Sequence, residues 1–209
     1  MITGYFGTPG CGKTTVLTSI AQKELRKIDR GRSHYAHVYT NFYCEGCEKF
    51  RVEDLGLYKF EYSLILIDEI TLDVDSRDFK RFSRGLKDFF VLHRHLHNDI
   101  VYFCQDFERV DKTIRDMTFD LWFLKKSVIP LFSGFSVAKR IFRNVNINEY
   151  TSELTLGYRF AKFFEAIFSR TKRIVWRRPW YRYFDSYDPM QLSDRPDFES
   201  EVWTDGEPS

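Results

Sequence analysis

The stretch GTPGCGKTT (7–15) decides the fold of this 209-residue chain. It matches the pattern G-x-x-x-x-G-K-[ST] in full. The apolar run MITGYF (1–6) precedes it, and an amphipathic segment from about Lys13 to Lys27 follows it. A strand, a glycine-rich loop and a helix in this order form a phosphate-binding loop, because glycines let the backbone N–H groups turn toward one anion and the helix adds its positive N-terminal end. An ordinary glycine-rich turn, the alternative, does not need the flanking strand and helix.

This loop, called the P-loop (7–15) below, predicts ATP and Mg²⁺ as cofactors. In such loops the lysine, here Lys13, reaches the β- and γ-phosphates, and the hydroxyl of the next residue, here Thr14, binds the metal. The residues expected to contact the nucleotide are Gly7, Thr8, Pro9, Gly10, Cys11, Gly12, Lys13, Thr14 and Thr15.

The segment YSLILIDE (62–69) supplies the acidic groups that a P-loop needs. Its uncharged, mostly branched residues predict a strand buried on both faces, as in a parallel sheet. Ligands bind at the C-terminal ends of such strands, so Asp68 is the second predicted Mg²⁺ ligand beside Thr14. Glu69 is the predicted base that orients and deprotonates an attacking water, which favours hydrolysis over small-molecule kinase chemistry. The alternative is that the two acids only begin a helix.

The next predicted strand, DIVYFCQD (99–106), ends in a polar group that adds a third catalytic candidate. A side chain such as Gln105 at this point positions water or senses the γ-phosphate, and an ordinary polar strand end is the alternative. Gln105 therefore joins Lys13 and Glu69 among the predicted catalytic residues.

The order of predicted elements indicates an α/β fold. Strands are predicted at 2–6, 36–41, 62–69, 99–106, 121–126 and 134–142, and helices at 13–27, 76–97 and 109–117. Alternating strands and helices predict a P-loop NTPase domain at 1–145, with a mainly parallel sheet flanked by helices. A C-terminal extension at 146–190 and an acidic tail at 191–209, expected to be disordered, complete the predicted organisation.

The extension contains a block at 158–183 that is rich in arginine, lysine and aromatic residues, although the net charge of the chain is only +2. Its sequence YRFAKFFEAIFSRTKRIVW (158–176) predicts a basic aromatic helix appended to the domain. Three roles stay open for this block. It binds an anionic membrane surface, it follows a DNA backbone with its aromatics stacked on bases, or it packs on the domain.

Cysteine usage indicates a reduced, cytosolic protein. Cys44 and Cys47 are spaced as half of a zinc site, and His34 or His37 would have to help as further ligands, so zinc binding is the alternative. We expect no signal peptide, because the start lacks a basic region, and no transmembrane helix, because no stretch of about 18 uncharged apolar residues occurs.

The segment FFVLHRHLHNDIVYFCQDFERVDKTIRD (89–116) resembles the zonula occludens toxin family, the filamentous-phage assembly ATPases. The resemblance rests on the pairs and triplets His93-Arg94-His95, Cys104-Gln105, Asp111-Lys112 and Ile114-Arg115, together with the P-loop and Asp68-Glu69, and it covers about residues 1–125. That family is similar to the FtsK/HerA branch of P-loop NTPases, which move DNA.

The resemblance implies an ATP-driven machine that assembles or exports a filamentous phage carrying single-stranded DNA. It further implies a homo-oligomeric ring in which an arginine, Arg94 or Arg115, completes the active site of a neighbouring copy. A surface or ion-pairing role is the alternative for each arginine. The implied partners are a membrane-anchored phage assembly protein, the phage coat protein, single-stranded DNA and an anionic membrane surface. The implied location is the host cytoplasm, peripheral to the inner membrane.

This sequence departs from many members of the family, which have a transmembrane helix and a periplasmic part after the ATPase domain. A separate membrane protein or the 158–183 block would then provide the membrane contact. The alternatives are a soluble DNA-packaging or DNA-translocating motor, a nucleotide or small-molecule kinase, and a non-hydrolysing binding or toxin-like module.

Overall fold

A computed structural model of the chain describes residues 1–70, 79–127, 134–147, 154–161 and 171–184. The described strands form one nine-stranded sheet: β1 (Ile2–Phe6), β2 (His37–Thr40), β3 (Glu48–Lys49), β4 (Ser63–Ile67), β5 (Asp99–Cys104), β6 (Asp120–Lys126), β7 (Phe135–Ile147), β8 (Leu154–Phe160) and β9 (Lys172–Trp176). Their order is β3-β2-β4-β5-β1-β6-β7-β8, and β9 pairs with β7.

The strands from β1 to β6 are parallel, as the buried apolar runs predict. β1 lies between β5 and β6, and β4 lies between β2 and β5. All five residues of β4 are buried, because both faces of the strand are covered. The C-terminal ends of β1, β4 and β5 therefore meet at one edge of the sheet, with β5 between the other two.

Helices cover both faces of the sheet, which confirms the predicted α/β class. They are α1 (Lys13–Ile28), α2 (Phe79–Leu92) and α3 (Lys112–Met117), with 3₁₀ helices at Val52–Asp54, Phe107–Arg109 and Arg178–Tyr183. α1 packs on one face through Val16, Leu17 and Ala21. α2 and α3 bury Leu86, Phe90 and Ile114 against the other face. The face carrying α1 is the one toward which the P-loop turns.

The helix predicted over 158–176 is wrong at both of its ends, where the chain forms β8 and β9. Both strands pair antiparallel with β7, which itself pairs antiparallel with β6. β7 continues past residue 145, the predicted end of the P-loop NTPase domain. Pairing with β7 provides hydrogen-bond partners for the backbone N–H and C=O groups of these segments. The spacing of residues within each segment does not reveal this pairing. The middle of the predicted helix, 162–170, and the tail at 191–209 lie outside the described residues.

None of the helices in the described parts of the chain is both long and apolar enough to cross a bilayer.

Candidate functional site

The P-loop connects the end of β1 to the first turn of α1. Its backbone is in the left-handed region at Gly10, with φ of +74°, and at Gly12, with φ of +91°. Gly12 is also the N-cap of α1, and no side chain caps the helix there. The first N–H groups of α1 therefore point into the loop without a side-chain acceptor, which is the arrangement that binds a phosphate.

Close packing explains why two P-loop positions must be glycine. A Cβ atom at Gly7 would lie 2.3 Å from the Leu124 carbonyl oxygen. A Cβ atom at Gly12 would lie 2.5 Å from Ser136 Oγ and 2.9 Å from Arg177 Cδ. The buried Ser136 hydroxyl donates to the Cys11 carbonyl at 2.7 Å, so β7 holds the loop from behind.

The two predicted metal ligands are in contact. Thr14 Oγ1 donates to Asp68 Oδ2 at 2.6 Å, which brings a hydroxyl and a carboxylate to one point at the end of β4. Burial raises the pKa of the Asp68 carboxyl, and the Thr14 hydrogen bond and the Lys13 charge oppose this effect. A carboxylate that burial disfavours gains most from a bound cation, and oxygen donors of these two kinds suit Mg²⁺.

Asn41 fixes the backbone of Asp68, and the sequence did not identify it as a site residue. Asn41 Nδ2 donates to the Asp68 carbonyl at 2.9 Å, and the Asp68 N–H donates to Asn41 Oδ1 at 2.7 Å. The available signal was the polar pair Thr40-Asn41 at the end of a predicted strand. Parallel strands place such ends beside one another, so Asn41 positions the backbone of a predicted metal ligand.

Glu69 faces the P-loop lysine. Lys13 Nζ lies 3.1 Å from Glu69 Oε2, and the Gln105 N–H donates to Glu69 Oε1 at 3.4 Å. Glu69 itself has φ of +57°, an uncommon conformation for a residue with a side chain. Such strain persists where the surroundings enforce it, and here the Glu69 carboxylate is held between the Lys13 ammonium and the Gln105 N–H.

Gln105 lies where the sequence predicts, directly after β5, and its side chain is exposed. Next to it a cavity of about 340 Å³ opens beside the P-loop. Its lining includes Gly7 and Thr8 of the P-loop and the aromatic residues Phe107, Phe123 and Tyr158. The Gln105 side chain therefore has open space beside it at the edge of the sheet that carries Glu69.

The structure does not bring Arg94 or Arg115 to the P-loop of the same chain. Arg94 is exposed and precedes β5, at the opposite edge of the sheet from the P-loop. Arg115 lies on α3, with its guanidinium 6.0 Å from the Phe107 ring centre and 4.0 Å from a Glu108 carboxylate oxygen. A role in a neighbouring copy stays a prediction for both residues.

The cysteine pair is packed into the fold. Cys44 and Cys47 are fully buried, and the hydrogen bond from Cys47 to Cys44, together with burial, raises the pKa of the Cys47 thiol. Within the described residues, no group of three or more His, Cys, Asp or Glu side chains is placed to hold a metal ion.

The chain has the fold of a P-loop NTPase. This class is defined by a P-loop between a strand and a helix and by an acidic pair at the end of β4, with β5 lying between β1 and β4. Within that class, the chain belongs to the zonular occludens toxin (Zot) family, whose model matches residues 41–146, half of the chain. The matched part includes Asp68, Glu69 and Gln105 and begins after the P-loop. Family membership confirms the resemblance that the sequence suggested.

Three solved structures are among those to which the chain is similar. The N-terminal domain of zonular occludens toxin from Neisseria meningitidis has 16% identity and a TM-score of 0.46, over 79% of this chain and 96% of that one. The flagellar accessory protein FlaH from Methanocaldococcus jannaschii has 13% identity and a TM-score of 0.40, over 66% and 76%. The genome packaging NTPase B204 from Sulfolobus turreted icosahedral virus 2, solved with ATP-gammaS, has 7% identity and a TM-score of 0.40, over 74% and 95%. No curated protein sequence matches the chain.

Proposed function

We propose that this protein hydrolyses ATP with Mg²⁺ and that the reaction drives the assembly and export of a filamentous phage with its single-stranded DNA at the host inner membrane. One observation carries the hydrolytic part. The P-loop residues Lys13 and Thr14 meet the acidic pair Glu69 and Asp68, at 3.1 Å and 2.6 Å respectively. A nucleotide-binding loop and the acids for metal binding and water activation thus converge on one point.

Each residue of this group has a separate task. Thr14 and Asp68 would hold Mg²⁺, which neutralises charge on the β- and γ-phosphate oxygens. The phosphates attract the Lys13 ammonium and compete with Glu69 for it. Glu69 is then free to accept a proton from a water placed near the γ-phosphate, and Gln105 orients that water from the end of β5.

The phage-related part of the proposal rests on membership of the Zot family. In an oligomeric ring, Arg94 or Arg115 of one copy would approach the nucleotide of the next copy and stabilise charge on the transferred phosphoryl group. A membrane-anchored assembly protein and the coat protein are the proposed partners, and the proposed location is the cytoplasmic side of the inner membrane.

A soluble DNA motor is the second candidate, and hydrolysis rates separate it from the first. We would measure Mg-ATP hydrolysis by the full chain alone, with single-stranded DNA, with double-stranded DNA and with anionic vesicles, using Lys13→Ala as the inactive control. A rate that DNA leaves unchanged and vesicles raise supports the membrane assembly role. A rate that only DNA raises favours the motor, and transfer of phosphate to an added small-molecule acceptor without hydrolysis contradicts both.

A further inference from the structure

Most described arginines of the basic 158–183 block contact the protein itself. Arg173 Nη1 donates to the Tyr5 hydroxyl at 2.6 Å, and its guanidinium lies 4.1 Å from the Trp122 ring centre. Arg182 lies 4.7 Å from the Tyr183 ring centre. β9 pairs with β7 over Lys172–Trp176. β9 is thus part of the sheet of the domain, although most of its side chains, including Ile174 and Trp176, are exposed.

Arg177 follows β9 directly and lies against the P-loop. Its N–H donates to the Gly134 carbonyl at 2.9 Å, which anchors the backbone beside β7. Its Cδ would be 2.9 Å from a Cβ atom at Gly12, so the aliphatic stem fills the space that the glycine leaves open. The Arg177 side chain is therefore in van der Waals contact with the residue that precedes Lys13.

The charge of Arg177 also affects the electrostatic environment of the P-loop. Burial raises the pKa of the Cys11 thiol; the positive charge of Lys13 and, more weakly, that of Arg177 act in the opposite direction, and the Asp68 carboxylate acts in the same direction as burial. Both cations are thus close enough to the loop to change the energy of a charged group within it. A bound anion would experience the same two charges.

The segment after Arg177 is fixed on the helix that follows the P-loop. The charged ends of Lys23 and Arg26 each lie 5.6 Å from the Trp180 ring centre, as cation–π contacts. The Glu45 N–H donates to the Tyr183 carbonyl at 3.0 Å. The 3₁₀ helix Arg178–Tyr183 is thereby held on α1, so Arg177 is anchored on both sides, by β9 and by this 3₁₀ helix.

We propose that Arg177 binds the α- and β-phosphates of the nucleotide from within the same chain. The proposal rests on the proposed function, because it concerns the same nucleotide site. The P-loop backbone around Gly12 cradles the α- and β-phosphates, whereas Lys13 reaches toward the γ-phosphate. The Arg177 stem lies against Gly12, so its guanidinium is within reach of the part that ATP and ADP share. A guanidinium is well suited to this contact, since it donates several hydrogen bonds in a fixed plane.

The test is a titration of ADP and of ATP with Mg²⁺ against the full-length protein, by calorimetry. The variants are Arg177→Ala, Arg177→Lys and, as a matched control, Arg178→Ala, which removes an exposed arginine one position away. We expect Arg177→Ala to weaken ADP and ATP by similar factors, on the order of tenfold, because a charge-assisted hydrogen bond is lost. Arg177→Lys should recover part of the loss, and Arg178→Ala should bind like the unaltered protein.

Three results would overturn the proposal. Arg177→Ala could bind ADP within about twofold of the unaltered protein. Arg178→Ala could lose as much affinity as Arg177→Ala, which would indicate a general effect of charge. The unaltered protein could fail to bind either nucleotide, which would overturn the proposed function as well. Circular dichroism of each variant identifies misfolding. If Arg177→Ala misfolds, nucleotide binding by Arg177→Lys tests the proposal instead, because lysine keeps the charge and most of the stem.

Discussion

Burial of the Asp68 carboxyl disfavours its ionised form, whereas metal binding requires that form. Because burial raises its pKa, the ionised form is less favourable in the folded chain than in the unfolded one. Asp68→Asn removes the charge and keeps an oxygen that accepts the Thr14 hydrogen bond. We expect this variant, free of nucleotide and metal, to be more stable to thermal unfolding, and to lose Mg²⁺-dependent hydrolysis.

Differential scanning calorimetry in the presence of a chelator measures the stability part of this prediction. Asp106→Asn, at an exposed position two residues after Cys104, is the control and should leave stability nearly unchanged. A lower melting temperature for Asp68→Asn would show that the contacts with Thr14 and Lys13 outweigh the effect of burial.

His93 leads to a second prediction for a single residue. It is buried, its Nδ1 lies 2.6 Å from the Phe90 carbonyl oxygen, and burial lowers its pKa. The unfolded chain therefore binds this proton more readily, so stability is lost as the pH falls through the unfolded value of about 6.5 toward the lower folded value. Between pH 7.5 and 5.5, the melting temperature of His93→Gln should fall by less than that of the unaltered protein. The melting temperature of the exposed His95→Gln should fall by as much as that of the unaltered protein. Equal losses in all three proteins would contradict this assignment.

At the scale of elements, the P-loop depends on β7, a strand more than a hundred residues away. The Ser136 hydroxyl donates to the Cys11 carbonyl at 2.7 Å and is fully buried. Ser136→Ala leaves that carbonyl without this donor, at a cost of about 1–2 kcal/mol in stability. Because the affected carbonyl belongs to the P-loop, the KM for ATP should rise as well, by a few-fold.

Ser63 offers a matched control for this prediction. It is equally buried, and its hydroxyl donates to the Glu61 carbonyl, also at 2.7 Å, but at the start of β4, far from the P-loop. Ser63→Ala should lower stability by a similar amount and leave the KM for ATP unchanged. Parallel changes in KM for the two variants would mean that β7 has no particular influence on the loop.

At the scale of the whole molecule, the features that the sequence predicts correctly are those determined by residues close together in the chain. The P-loop and β4 are recognisable because glycine spacing and a buried apolar run are local patterns, and both lie where expected. The predicted helix at 158–176 is wrong at its ends because the residue spacing there suits a helix, whereas pairing with β7 makes β8 and β9 strands. The contacts of Asn41 with Asp68 and of Arg177 with Gly12 join residues far apart in sequence, so no single-sequence pattern contains them.

The sheet also explains why these distant residues matter. β1, β4 and β5 deliver the P-loop, Asp68-Glu69 and Gln105 to one edge, and the β7–β9 pair brings Ser136 and Arg177 to the same loop from the other side. The nucleotide site is thus assembled from both the parallel part of the sheet and the antiparallel part. Loss of the C-terminal strands should therefore affect nucleotide affinity as well as stability.

The most direct test of the central claim compares Glu69→Gln with the unaltered protein, in steady-state Mg-ATP hydrolysis and in ATP binding. Glutamine keeps the size of Glu69 and removes its ability to accept a proton, so the account predicts normal or tighter ATP binding and a hydrolysis rate lowered by about a hundredfold or more. Hydrolysis at the unaltered rate in Glu69→Gln would contradict the account, because the acidic pair beside the P-loop would then not activate water.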